Sequence, residues 1–151
     1  MQIYVDMDGV LADFDAHHEA VFGIRSSTGA DIVDWAQVRA IAGFYSAIPP
    51  MPDMRELWHY LERHKPIVLT GVPEEVEEAA ENKRNWVRHY LGPNVEVICC
   101  KSKEKCLHAK PGDILIDDWE KYRSLWEAKD GIWITHVSAP RTILSLQALG
   151  I

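Results

Sequence analysis

The chain has 151 residues, 47% hydrophobic and 26% charged, which suits one soluble globular domain and excludes a disordered chain. Its formal net charge of −7 excludes a broad basic surface for nucleic acid polymers or anionic membranes, so a phosphate-bearing ligand is expected to be a small molecule held by a local cation. Neither a basic leader nor an apolar stretch of about 20 residues is visible, and we expect a cytoplasmic protein that does not span a membrane.

The first predicted strand, Ile3–Asp6, is followed by an insertion much longer than one crossover helix requires. Apolar residues at helical spacing predict helices near Phe14–Phe22 and Trp35–Ile41, separated by the loop Ser26-Ser27-Thr28-Gly29. We interpret residues of about 13–50 as a small helical cap inserted after the first strand, because such insertions commonly act as lids on α/β sites. The alternative is a helical excursion that packs on the sheet edge.

Helices and short apolar runs alternate through the rest of the chain. The predicted strands are Ile67–Thr70, Val95–Cys99, Ile114–Asp117 and Ile132–Thr135. The predicted helices contain Met54, Leu57 and Leu61, then run from Glu74 to Tyr90 with an acidic first turn, then include Leu125–Trp126, and finally cover Ile143–Leu149. The five strands lack polar alternation, as strands covered on both faces should. This order of elements predicts one α/β domain over residues 1–151 with a mainly parallel sheet.

Two predicted strands end in acidic residues. The first ends in Asp6 and is followed by Asp8 and Gly9, and the fourth runs into Asp117 and Asp118. Ligands bind at the carboxyl ends of parallel strands, and closely spaced carboxylates are costly there without a cation. Oxygen ligands suit Mg²⁺, so the sequence predicts a magnesium site if these two strands are neighbours.

Phosphate-binding groups are predicted at the end of the second strand and before the fourth. Thr70 offers a hydroxyl group, and Gly71 allows the backbone amides to approach an anion. Lys101, Lys103 and Lys105 lie between the third and fourth strands, and any one of them could neutralise phosphate charge.

These motifs resemble those of the haloacid dehalogenase (HAD) superfamily. The resemblance is carried by DMDGV at Asp6–Val10, Thr70, a lysine before the fourth strand, and LIDD at Leu115–Asp118, in the order and approximate spacing of that superfamily over the whole chain. The longer stretches DMDGVLADF, GFYSAIPPMPDMRELW and KCLHAKPGDILIDD are similar to the 5'(3')-deoxyribonucleotidase-like branch.

The resemblance implies a Rossmann-like HAD core with a five-stranded parallel sheet in the order 5-4-1-2-3. It implies that Asp6 attacks phosphorus to form an aspartyl-phosphate and that Asp8 acts as general acid and then as general base. Mg²⁺ would be held by the Asp6 carboxylate, the backbone carbonyl of Asp8 and Asp117, with Asp118 nearby. The resemblance also favours Lys105 as the lysine that binds the phosphoryl group with Thr70 and Gly71.

The Asp8 carboxyl must be protonated to act first as an acid, so we expect its pKa to be raised by burial and by the neighbouring carboxylates.

Some features depart from the branch pattern. Gly71 stands where a serine is common, Trp119 stands where an arginine is common, and the insertion is shorter. A nucleotide would need an aromatic slot in the cap, for which the candidates are Phe14, Phe22, Trp35, Phe44 and Tyr45.

Three classes of function therefore remain open from the sequence. The first is a phosphatase of (deoxy)nucleoside monophosphates, and the second is a phosphatase of a sugar phosphate or another small metabolite. The third is a non-catalytic phospho-aspartate or metal-binding module. A homodimer is compatible with the sequence but is not specified by it.

Overall fold

A computed structural model describes residues 1–26 and 32–151. Five parallel strands form one sheet in the order β3-β2-β1-β4-β5, which is the order 5-4-1-2-3 counted from the opposite edge. The strands are β1 Ile3–Val5, β2 Ile67–Gly71, β3 Val97–Cys100, β4 Ile114–Asp117 and β5 Ile132–Thr135. The predicted α/β class and the parallel, Rossmann-like sheet are thereby confirmed.

The register of the sheet brings three strand ends together. Val5 of β1 lies opposite Val68 of β2 on one side and opposite Ile116 of β4 on the other. Because β1 is central, the residues that follow it are flanked by the carboxyl ends of β2 and β4.

Six α-helices are described: α1 Phe14–Phe22, α2 Trp35–Arg39, α3 Met54–Leu61, α4 Ala79–Tyr90, α5 Arg123–Glu127 and α6 Ala139–Ala148. A 3₁₀ segment, Ser102–His108, connects β3 to β4. The side chain of Asp13 caps α1 by accepting a hydrogen bond from the Ala16 amide, and Asp34 caps α2 in the same manner.

The helix predicted from Glu74 begins later, at Ala79, so the acidic residues before it do not form its first turn. Glu74 instead pairs with Lys101, and Glu78 accepts a hydrogen bond from the Gly43 amide at 2.9 Å. These contacts hold residues 74–78 in turns. The predicted β3 is also shifted, since its first residue is Val97 rather than Val95.

The insertion leaves and rejoins the core at neighbouring points. The Asp13 amide donates to the Pro49 carbonyl, and the Met51 amide donates to the Leu11 carbonyl, both at 2.8 Å. These bonds bracket the unit assigned to residues of about 13–50. Of the loop predicted between its helices, residues 27–29 lie outside the described residues.

Each face of the sheet has its own apolar core. One core contains Val5, Val68 and Ile116 together with Val38 and Phe44 of the insertion. On the opposite face, Tyr4, Leu69, Leu115, Trp126 and Trp133 form a smaller cluster. Strands covered on both faces explain the absence of polar alternation in their sequences. None of the helices in the described part of the chain is long and apolar enough to cross a membrane.

Candidate active site

Three carboxylates meet at the carboxyl ends of β1 and β4. Asp6, Asp117 and Asp118 each present an oxygen atom, and these oxygens lie within 4.8 Å of one another. Asp6 follows β1 directly, and its amide donates to the Ile116 carbonyl of β4 at 2.8 Å. The two acidic strand ends found in the sequence are therefore neighbours in the fold.

Gly9 makes room for this cluster. Its φ is +79°, a left-handed conformation that other residues adopt at a cost, and an added Cβ would clash with the Asp118 carboxylate. The turn after β1 therefore needs glycine both for its backbone and for the approach of Asp118.

Lys105 is the lysine that joins the acidic cluster. It is only 6% exposed, and its Nζ lies 2.8 Å from Asp6 Oδ1 and 2.6 Å from Asp117 Oδ2. The two other candidates, Lys101 and Lys103, are exposed at the rim of the cavity described below, and Lys101 pairs there with Glu74. The 3₁₀ segment turns one of its lysines towards the strand ends.

Lys83 is a second buried cation in contact with a predicted site carboxylate, and the sequence pattern did not identify its role. Its Nζ donates to Asp8 Oδ2 at 2.6 Å, to the Gly71 carbonyl at 2.6 Å and to Thr70 Oγ1 at 3.0 Å. The side chain is fully buried and lies over the Tyr45 ring. A signal was available, because Lys83 occupies the apolar stripe of α4, where a buried charge requires a partner.

The Asp8 side chain is consequently directed away from the three-carboxylate cluster and towards Lys83. Of the metal ligands named from the sequence, Asp8 therefore does not supply a carboxylate to the cluster. The family resemblance implies that Asp8 binds the metal through its backbone carbonyl, and the side-chain contact with Lys83 does not affect that prediction.

The charges of the cluster shift its pKa values upward. Desolvation and the charge of Asp6 raise the pKa of Asp117 to about 6, although Lys105 opposes this. Desolvation, Asp6 and Asp117 raise the pKa of Asp118 to about 8, even though its side chain is exposed at the cavity mouth. Burial would lower the pKa of Lys105, but Asp6 and Asp117 raise it above its usual range.

The pKa of Asp8 is also raised, chiefly by desolvation, with a further contribution from Asp6 and an opposing one from Lys83. This is the direction expected for a carboxyl group that acts first as an acid.

The cluster fits a hard divalent cation. Its donor atoms are all carboxylate oxygens. The three carboxylates are contacted by one ammonium group, since Lys105 pairs with Asp6 and Asp117. A divalent cation would balance the remaining negative charge and lower the raised pKa values. Asp6, Asp117 and Asp118 are the residues that would hold it.

A cavity of about 1120 Å³ opens over these groups. Its core wall includes Asp6, Asp8, Gly71 and Lys105, and its cap wall includes three aromatic residues: Phe14, Trp35 and Tyr45. The helical insertion therefore forms one wall of the space in front of the acidic cluster.

Three of the predicted residues do not line this cavity: Phe22, Phe44 and Thr70. Phe44 is 1% exposed and packs against Phe14, Phe22 and Tyr45, so its candidacy as a substrate contact is corrected to a role in cap packing. Thr70 is fully buried, and its hydroxyl oxygen accepts a hydrogen bond from Lys83. Of the predicted phosphate-binding residues, Gly71 and Lys105 reach the cavity directly.

Both local departures from the nucleotidase pattern lie in the cavity wall. A Cβ added at Gly71 would clash with the hydroxyl of Ser102, which also lines the cavity. Trp119 is 53% exposed at the rim, its ring packs edge-on against Tyr122, and its backbone amide donates to Asp117 Oδ1 at 2.9 Å.

A scan against models of known protein families finds no match to this chain, and a search among curated proteins finds none either.

Proposed function

We propose that this protein is a Mg²⁺-dependent phosphomonoester hydrolase of the HAD type that acts through an aspartyl-phosphate on Asp6. The observation that carries the proposal is the buried Lys105 ammonium, which lies within 2.8 Å of both Asp6 and Asp117 beside a three-carboxylate cluster. Phosphoryl transfer to a carboxylate brings two anions together, so it requires positive charge at this position.

Asp6, Asp117 and Asp118 are the proposed Mg²⁺ ligands, with the Asp8 backbone carbonyl as a further one. When bound, Mg²⁺ would neutralise charge on the phosphoryl oxygens and reduce their repulsion of the nucleophile. Lys105 would add a donor from the protein, and the backbone at Gly71 offers space for an anion to approach.

The proposed reaction has two steps. In the first, a carboxylate oxygen of Asp6 forms a bond to phosphorus while the ester P–O bond breaks, and Asp8 gives its proton to the departing oxygen. In the second, water attacks the phosphorus of the aspartyl-phosphate, Asp8 takes a proton from that water, and the P–O bond to Asp6 breaks. Inorganic phosphate leaves, and Asp6 is regenerated.

A (deoxy)nucleoside monophosphate is the proposed substrate. The cavity is large enough for a nucleotide, and its cap wall carries the partly exposed Phe14 and Trp35, whose rings offer faces for a base, whereas Tyr45 is 1% exposed. A sugar phosphate is the second candidate, because Asp13 and Asp15 also line the cap wall and can accept hydrogen bonds from hydroxyl groups.

Phosphate release from a panel of nucleoside monophosphates, sugar phosphates and 4-nitrophenyl phosphate tests the proposal, with Mg²⁺ or with EDTA. We expect turnover that requires Mg²⁺ and is lost in Asp6→Asn. Lys105→Met should lower kcat/KM at least ~10²-fold, as expected when a transition-state donor is removed. Lys110→Met is the matched control, because Lys110 is an exposed lysine between β3 and β4 that does not line the cavity, and it should stay within about twofold of the parent.

Absence of turnover from folded, Mg²⁺-binding protein would overturn the hydrolase proposal and favour a metal-binding module. Equal losses in the two lysine variants would contradict the assigned role of Lys105. The preferred ester in the panel would decide between a nucleotide and a sugar phosphate.

A further inference from the structure

Lys83 is a fully buried cation whose three N–H groups each have an oxygen acceptor. They are directed to Asp8 Oδ2, the Gly71 carbonyl and Thr70 Oγ1, at distances of 2.6 to 3.0 Å. An ammonium group has three donors and no acceptor, so the hydrogen-bonding capacity of Lys83 is fully used. A cation held in this way defines the position of its partners.

The two oxygens of Asp8 consequently differ. Oδ2 accepts a short, charge-assisted hydrogen bond from Lys83, whereas Oδ1 is buried and has no hydrogen-bond partner among the described residues. Asp8 lines the cavity beside Asp6, and its side chain is 27% exposed, so the carboxyl group that Lys83 holds through Oδ2 is within reach of a ligand in the cavity.

We propose that Lys83 is a positioning residue that fixes the Asp8 carboxyl group through Oδ2, so that this group is held beside Asp6 in position to give its proton to the leaving oxygen. This inference rests on the proposed hydrolase function and adds to it the group that orients the general acid. Lys83 does not line the cavity and does not itself touch the substrate.

Lys83 also contacts Thr70, and this offers a competing role. If Lys83 acted only by holding Thr70 against the phosphoryl group, its loss would slow all phosphate esters by the same factor, because the phosphoryl group is common to them. If Lys83 acts through Asp8, the decrease in kcat/KM caused by removing Lys83 should be larger for esters with poorer leaving groups. A good leaving group departs without a proton, whereas a poor one requires it.

The experiment compares phenyl phosphate with 4-nitrophenyl phosphate, which have similar shapes but different leaving groups. The quantity measured is kcat/KM, which reports events up to ester cleavage and excludes hydrolysis of the phosphoenzyme. Lys83→Met should lower kcat/KM ~10²-fold for phenyl phosphate but less than ~10-fold for 4-nitrophenyl phosphate. Arg84→Met, an exposed neighbour on α4, should leave the ratio of the two rates unchanged.

A second measurement covers the case in which Lys83→Met does not fold because Asp8 is left as an unpaired charge. Asp8→Asn/Lys83→Met removes both charges of the pair. If Lys83 acts through Asp8, this double variant should match Asp8→Asn within about threefold on 4-nitrophenyl phosphate. Equal losses on both esters in the single variant, or a large additional loss in the double variant, would overturn the inference.

These outcomes are separate from a failure of the proposed function. A parent protein that hydrolyses neither ester refutes the hydrolase proposal itself. A parent that hydrolyses both, with variants that lose both esters equally, refutes the role of Lys83 alone.

Discussion

Replacing Asp118 with asparagine tests the electrostatics of the acidic cluster without reference to a substrate. The pKa of Asp118 is raised to about 8 by desolvation and by Asp6 and Asp117, so ionising Asp118 in the folded protein is unfavourable without a cation. A shift of this size corresponds to ~6 kcal/mol at full strength. The side chain is exposed, however, and screening by solvent reduces the effect to about 1–2 kcal/mol.

We therefore expect Asp118→Asn to raise the free energy of unfolding by about 1–2 kcal/mol at pH 8 in EDTA, which is about 3–6 °C in Tm for a chain of this size. Because the pKa of Asp118 is higher in the folded than in the unfolded state, the folded protein binds the extra proton between pH 4 and pH 8. The parent thus loses stability as pH rises through this window, and the asparagine variant avoids that part of the loss.

Calorimetric unfolding at pH 5 and pH 8, each with EDTA or with Mg²⁺, measures these differences. Asp130→Asn is the control, because Asp130 is an exposed acid with a φ of 58°, a conformation that asparagine tolerates. Mg²⁺ at about ten times its Kd should stabilise the parent by ~1.4 kcal/mol and the Asp118→Asn variant by less. An Asp118→Asn variant that is no more stable than the parent at pH 8, or whose advantage is the same at pH 5, would refute the reasoning.

Three further predictions concern the walls of the site. Gly9→Ala should lower the free energy of unfolding, measured in urea, by at least ~1–2 kcal/mol, because a φ of +79° is unfavourable for alanine and its Cβ would clash with Asp118. An unchanged free energy of unfolding would contradict this prediction. Gly71→Ser should raise KM because the new side chain clashes with Ser102. The double variant Gly71→Ser/Ser102→Gly should return KM to the parent value, and a KM that stays high would exclude a steric cause. Phe14→Leu should raise KM for nucleotides at least ~5-fold and change KM for 4-nitrophenyl phosphate by no more than about twofold. An unchanged KM for nucleotides would show that the base does not bind at the cap wall.

The buried pairs at this site are better understood as fixing geometry than as adding stability. Lys105 and Lys83 are each almost or fully removed from solvent, and their desolvation offsets most of the attraction to Asp6, Asp117 and Asp8. Removing one partner leaves the other charge uncompensated. The pairs thus hold these five side chains at set distances beside the cavity.

Much of the fold follows from local patterns in the sequence. The runs Ile114–Asp117 and Ile132–Thr135 are strands with the bounds predicted for them, and Phe14–Phe22 is a helix with the predicted bounds. These elements repeat apolar residues with one clear period, and acids directly after apolar strands mark the edge where a ligand binds. The parallel sheet was predictable for this reason, whereas the adjacency of the first and fourth strands, which brings Asp6 to Asp117, was implied only by the family resemblance.

Element ends depended on contacts that the pattern does not encode. The helix predicted from Glu74 begins at Ala79, and the side chains of Glu74 and Glu78 before it contact Lys101 and the Gly43 amide, both distant in the chain. A local period cannot report such partners.

What the sequence by itself determined is the set of chemical groups and the edge of the sheet at which they gather. The residue pattern left Lys101, Lys103 and Lys105 open, and only the family resemblance favoured Lys105, which the tertiary structure places beside Asp6 and Asp117. The tertiary structure alone brought Lys83 to Asp8 from the core side of α4. It also placed Phe44 in the cap core instead of the cavity wall. The physical reason is that periodicity specifies which face of an element is buried, whereas the partners of a buried side chain depend on how distant elements pack.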